Sequence, residues 1–219
     1  AFRLALSMGA SAIELDVHKT KDGELAVIHD ENLKRVAKRA SKVRDLSWDE
    51  LSQIDVGSWF DRRFQSEKTP RLEEVFDLTQ GRAQLHVEIK RGSSFYPGIE
   101  QDIVDLIRRR SALETTVVSS FDHKALLALR ALEPKIRIGY LMGLTSLKRA
   151  FREMSELRAE SLNISQRQAT IGRVEKSHAQ GFKVLVYTVN ALKDMLRLKK
   201  IGVDGVFCNY PELMLCQKK

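Results

Sequence analysis

Seven short runs rich in β-branched and apolar residues recur along the chain, at 11–17, 85–89, 116–121, 136–141, 161–164, 184–189 and 205–209. Helix-like stretches at 98–112, 122–133, 145–158, 170–180 and 191–201 lie between the later runs. Strands that alternate with helices make βα units and a parallel sheet. In such sheets the functional side chains gather at the strand C-terminal ends. Gly181 and Gly202 follow two of the helical stretches, where a left-handed cap tolerates the absence of a Cβ best. Seven strands are one fewer than a (β/α)8 barrel needs, and 2–8 reads as a helix whose own preceding strand is absent. An open sheet leaves two unpaired edges, which proteins normally avoid. The expectation is an α/β fold: a TIM-type barrel lacking its first strand, with a gap between the strands at 13–17 and 205–209.

With 219 residues, one domain spanning 1–219 is expected. Residues 31–80 interrupt the alternation. Ser47 and Glu50 have capping-box spacing at a helix start, Gly57-Ser58-Trp59-Phe60 follows, and Pro70 precedes another helix. Residues 31–69 are read as an insertion, a small subdomain that forms a lid or wall on the top rim of the barrel. No run approaches the ~18 consecutive apolar residues of a membrane span. The formal charge of +8 suits an anionic small substrate, a nucleic acid or an anionic lipid surface. The basic residues are scattered and no nucleic-acid motif is present, so a small anionic substrate is favoured and nucleic acid is not. The dense run Lys34, Arg35, Lys38, Arg39, Lys42 and Arg44 reads as a solvated face, which leaves membrane contact open without support. Cys208 and Cys216 lack metal-ligand spacing, which favours a reducing, cytoplasmic setting over a disulfide framework.

Glu14 and Asp16 lie two apart on a strand, so they share a face. Two acids pointing into a barrel repel unless a cation neutralises them, and Mg2+ or Ca2+ prefers such oxygen ligands. Two exposed acids on a solvent-facing strand are the plain alternative. Thr20-Lys21-Asp22-Gly23 is a hairpin signal. With Asp22 and Gly23 as the two loop residues, Val17 faces Ile28 and Asp16 faces His29. The hairpin then returns an imidazole beside the acids. Glu88 and Lys90 share a face near the end of a later strand, where the lysine either forms a salt bridge or holds a phosphate. Three carboxylates, one Lys and one His suit metal-assisted phosphoryl chemistry.

These segments, Gly9-Ala10, Ile13-Glu14-Leu15-Asp16-Val17, Thr20-Lys21-Asp22-Gly23 and His29-Asp30, resemble the glycerophosphodiester phosphodiesterase family. So do Gly57-Ser58-Trp59-Phe60, Pro70-Arg71-Leu72, Val87-Glu88-Ile89-Lys90, Ser120-Phe121-Asp122-His123, Tyr187-Thr188-Val189-Asn190 and Gly202-Val203-Asp204-Gly205-Val206. The resemblance implies hydrolysis of glycerophosphodiesters to an alcohol and glycerol phosphate. It implies that Glu14, Asp16 and Glu88 bind a divalent cation, that His29 is one of a general acid/base pair, and that Lys90 contacts the phosphate. Phe121 and Tyr187 would line the substrate pocket, Tyr187 standing where many relatives carry Trp. Relatives also begin with a strand ending in His-Arg-Gly and then Pro-Glu-Asn-Thr, segments absent here, so weak turnover or none is expected of the chain as it stands. The alternatives are a non-catalytic relative that binds phosphorylated ligands or a partner, and a phospholipase-type barrel acting on intact lipids.

Overall fold

The computed structural model describes residues 1–215. Helix α1 (Phe2–Ser7) leads into β1 (Ala12–Lys19), which turns back into β2 (Leu25–Val27). The insertion carries α2 (Lys34–Ala37) and α3 (Trp48–Ser52), and α4 (Leu72–Thr79) closes it. The alternation then runs β3 (Gln84–Ile89), α5 (Ile99–Arg109), β4 (Thr116–Ser120), α6 (His123–Leu132), β5 (Arg137–Leu141) and α7 (Leu147–Leu157). It ends with β6 (Ser161–Ser165), α8 (Ile171–His178), β7 (Lys183–Tyr187), α9 (Leu192–Lys200), β8 (Gly205–Val206) and α10 (Glu212–Leu215).

One sheet holds all the strands in the order β2-β1-β3-β4-β5-β6-β7-β8. The strands from β1 and β3 to β8 pair parallel, and β2 pairs antiparallel to β1. Among the described residues β8 pairs only with β7, and β1 gains β2 only along Val17–Lys19, so the sheet stays open between β1 and β8. This is the gap the strand count predicts. β8 is shorter than the expected 205–209 because only Gly205 and Val206 find ladder partners on β7.

The outward faces of the strands pack on the helices. Ile13, Leu15, Val17, Leu85, Val87 and Ile89 join Ile99, Ile103, Val104 and Ile107 in one core. The α5 positions in that set recur at helical spacing, which puts one stripe against the sheet. β4 is buried along its whole length, as expected of a parallel strand covered on both faces. A second, smaller core of Ala26, Leu33, Val36, Val43, Trp48, Leu51 and Ile54 holds the insertion together. The capping box of Ser47 and Glu50 forms as expected, and Trp48 N–H donates to the Asp22 carboxylate at 3.0 Å, tying the insertion to the hairpin.

The hairpin register differs from the expected one. Val17 faces Val27, not Ile28, and Ile28 N–H donates to the Asp16 carbonyl at 3.0 Å. The loop has three residues, Lys21 to Gly23, because the Thr20 hydroxyl bonds Asp22 Oδ1 at 2.6 Å and accepts from Glu24 N–H at 2.9 Å. Asp16 therefore sits opposite Ile28, and His29 follows one residue later, beyond the end of β2. Cys208 is a free, half-buried thiol, while Cys216 lies outside the described residues. No described helix is long and apolar enough to cross a membrane.

Candidate active site

The inner face of β1 carries Glu14 and Asp16, and the register places them beside His86 and Glu88 of β3. One carboxylate oxygen from each of Glu14, Asp16 and Glu88 lies within 4.8 Å of the others. Oxygen ligands sit about 2.3–2.6 Å from Ca2+ and about 2.0–2.1 Å from Mg2+, so a spread of up to 4.8 Å matches donors around Ca2+, and the carboxylates would draw closer around Mg2+. The two strands bring the acids together because the period of two aims alternate residues inward and the parallel pairing sets Asp16 level with Glu88.

Lys90 lies at the mouth of this cluster. Its Nζ is 2.7 Å from Asp16 Oδ1 and 2.8 Å from Glu88 Oε1. The ammonium is held above its ordinary pKa: burial works against its charge, and Glu88 and Asp16 more than offset it. Burial raises the Glu88 carboxyl, with Asp16 adding to the rise and Lys90 opposing it. Glu14 is pushed up to about 8 by crowding among protein atoms, then by the charges of Asp16 and Glu88. Yet Glu14 is exposed, since water reaches it along the unpaired edge of β1. Crowding alone is thus a weak reason for its shift, and the two neighbouring carboxylates are the firmer one. A site with three acids and one lysine has an unmet demand for positive charge, which is what a divalent cation supplies.

His29 stands beside this cluster on the segment after β2, with its side chain 64% exposed and its charge acting on Glu88. His29 Nδ1–H donates to Asp30 Oδ1 at 2.7 Å, and Arg35 Nε–H donates to the other Asp30 oxygen at 2.7 Å. That arrangement leaves Nε2 of His29 free to exchange a proton. A second histidine supports the segment from below. His18 is 2% exposed and burial holds it below its ordinary pKa, so it is neutral. The His29 carbonyl can only accept, so His18 Nε2 carries the hydrogen and donates to it at 3.1 Å. Tyr96 O–H then donates to His18 Nδ1 at 2.7 Å.

Phe121, at the end of β4, and Tyr187, at the end of β7, meet edge to face with ring centroids 6.3 Å apart. Burial raises the Tyr187 hydroxyl pKa and the charge of Glu88 adds to it, so this ring lies within electrostatic reach of the acids. After Lys90 the chain turns tightly at Gly92, whose N–H donates to Asp122 at 3.2 Å. A Cβ there would come within 2.9 Å of Ala125 and the Asp122 carboxylate, so the turn needs glycine.

Asp30, Arg35, His18 and Tyr96 were not singled out from the sequence as parts of the site. The adjacency of Asp30 to His29 was a usable signal. Arg35 was hidden in a run read as solvated, and Tyr96 is 78 positions from its partner His18.

The model of the Glycerophosphoryl diester phosphodiesterase family matches residues 1–213. The chain belongs to that family. A glycerophosphodiester phosphodiesterase of Caldanaerobacter subterraneus subsp. tengcongensis is 35% identical over 216 residues, 98% of this chain and 88% of the relative. One from Bacillus altitudinis is 34% identical, covering 97% and 88%. Among solved structures, an Oleispira antarctica phosphodiesterase in complex with the product sn-glycerol-3-phosphate superposes with a TM-score of 0.91 at 28% identity, covering 98% of this chain and 87% of that one. A glycerophosphodiester phosphodiesterase of Agrobacterium tumefaciens gives 0.84 at 28% identity, covering 98% and 90%. The TIM-type fold is therefore that of the family.

Proposed function

We propose that this phosphoric diester hydrolase cleaves glycerophosphodiesters to an alcohol and glycerol phosphate at the Glu14–Asp16–Glu88 cluster. The observation that carries the reading is the convergence of three carboxylate oxygens within 4.8 Å beside a lysine and an imidazole. The relatives named glycerophosphodiester phosphodiesterase and the neighbour holding sn-glycerol-3-phosphate support the same small phosphate-ester substrate.

Glu14, Asp16 and Glu88 would hold a divalent cation, Mg2+ or Ca2+, which withdraws charge from the phosphoryl oxygens. Lys90 sets its ammonium against the anionic phosphate. His29, with its Nδ1–H held by Asp30, would donate a proton from Nε2 to the departing alcohol oxygen as a water oxygen forms the new bond to phosphorus and the P–O bond to that alcohol breaks. Phe121 and Tyr187 form an aromatic wall that takes the carbon skeleton of the ester. The hydroxyl of Tyr187 adds one donor to that wall.

The test follows release of glycerol phosphate from glycerophosphocholine. Release should stop on adding a chelator and resume with excess Mg2+ or Ca2+. His29→Ala should lower turnover by about 10²–10⁴-fold while cation binding stays unchanged. Turnover that persists in chelator, or an unaltered rate in His29→Ala, would contradict the reading.

A further inference from the structure

Beside the catalytic mouth the insertion displays aromatic side chains to water on a loop that is firmly built. Trp59, Phe60 and Phe64 are 44%, 69% and 40% exposed. Their rings form a continuous strip, with centroids 5.8 Å apart from Trp59 to Phe60 and 5.8 Å from Phe60 to Phe64. The backbone holds them outward. The Asp55 carboxylate accepts from Gly57 N–H at 2.8 Å, Ser58 N–H at 2.9 Å, Ser58 O–H at 2.6 Å and Ser66 N–H at 2.9 Å. Trp59 Nε1–H is fixed on the Val56 carbonyl at 2.8 Å. At Gly57 a Cβ would come within 2.0 Å of the Phe64 carbonyl oxygen, so the knot closes only on glycine. The exposure of the rings is thus a property of the fold.

The same surface is basic. Arg35 of α2 lies over the Trp59 ring at 4.8 Å, which sets α2 against the aromatic strip. Lys34, Lys38 and Arg39, on and just after the same short helix, are exposed, and exposed Arg62 sits within the loop. None of these four has an acidic partner among the described residues, whereas Arg35, Lys42 and Arg63 do. Aromatic rings framed by unpaired cations match a membrane interface. The rings settle at the headgroup level and the cations meet anionic lipid.

We propose that the 57–66 loop and α2 dock the protein on an anionic lipid surface. The Arg35 side chain joins both regions, since it covers Trp59 and holds Asp30, the partner of His29. The docking goes beyond the proposed hydrolysis and is measured independently of turnover.

The experiment is co-sedimentation with vesicles of phosphatidylcholine alone, and of phosphatidylcholine with about a third phosphatidylglycerol, at low and at high salt. The full chain should bind the anionic vesicles at low salt, at least tenfold more weakly at high salt, and the neutral ones little. Phe60→Ser/Phe64→Ser and Lys34→Glu/Lys38→Glu/Arg39→Glu should each weaken binding at least tenfold. Both should keep the thermal midpoint and whatever rate the chain shows on soluble glycerophosphocholine. Two controls separate this surface from bulk charge and bulk apolarity. Lys193→Glu/Lys199→Glu/Lys200→Glu changes net charge equally on α9, and Leu127→Ser removes an equally exposed side chain from α6; both should bind as the unmodified chain does. Failure of that chain to bind anionic vesicles, or equal losses in the controls, overturns the proposal. So does saturable capture of an acidic peptide with no vesicle binding. Loss of chelator-sensitive turnover with intact vesicle binding would instead count against the hydrolytic reading alone.

Discussion

His29 is held by two neighbouring side chains, Asp30 and His18. Its side chain is largely exposed, and an exposed imidazole reorients freely unless something fixes it. Asp30 does so from one side by accepting the Nδ1–H hydrogen bond, and His18 anchors the backbone carbonyl from the other. Asp30→Asn keeps the size but offers an amide that can present either a donor or an acceptor to Nδ1, so the wrong tautomer of His29 becomes accessible. Turnover should fall by more than tenfold, with KM and cation affinity nearly unchanged, and steady-state kinetics with a binding titration would show it. Equal activity of Asp30→Asn would mean that His29 is oriented without it. Lys90 raises a related point. Its ammonium bridges Asp16 and Glu88, so it is a counter-charge that holds these two carboxylates together.

At the scale of elements, the insertion is held by seven buried hydrophobic residues separate from the barrel core. Leu51 is fully buried in it, so Leu51→Ala should cost about 2–5 kcal/mol. A loss well under 1 kcal/mol in denaturant unfolding would show that the insertion packs loosely. The Asp55 knot is pH-sensitive with a defined sign. Hydrogen bonds from Ser58, Ser66 and Gly57 hold its carboxyl well below the ordinary value of 3.8. A carboxylate depressed in the folded state contributes order that is complete above that ordinary value and is lost as pH falls below it. Cleavage at Arg62 and Arg63 by an acid-tolerant protease should therefore stay slow at pH 5 and accelerate below pH 4. In Asp55→Asn it should be fast throughout, and equal rates would refute the knot.

The strands and long helices were legible in the sequence because each carries its own period. The acids were legible because period two puts Glu14 with Asp16 and Glu88 with Lys90. The hairpin register was not. It turns on one hydroxyl, Thr20 Oγ1, which captures Asp22 and Glu24 and lengthens the loop by a residue. The short turns of the insertion were illegible for another reason: α2 and the 3-10 turn at Val43–Asp45 hold only three or four residues each, and non-local burial of Val36 and Val43 fixes them.

Across the whole molecule, one architectural fact governs the chemistry. A parallel sheet with helices on its outside buries the apolar residues of β1 and β3 outward and turns Glu14, Asp16, His86 and Glu88 inward. At the C-terminal ends of β1 and β3 that inner face becomes three acids with one lysine. Such a concentration of like charge is tolerable only with added positive charge, and Lys90 supplies less than three carboxylates require. Calorimetric titration of the metal-free chain with Ca2+ and with Mg2+ or Mn2+ tests this directly. One cation should bind per chain, and binding should vanish in Glu14→Gln and in Glu88→Gln while both variants stay folded by circular dichroism. Absence of binding up to millimolar cation, or affinity untouched by either substitution, would contradict the account.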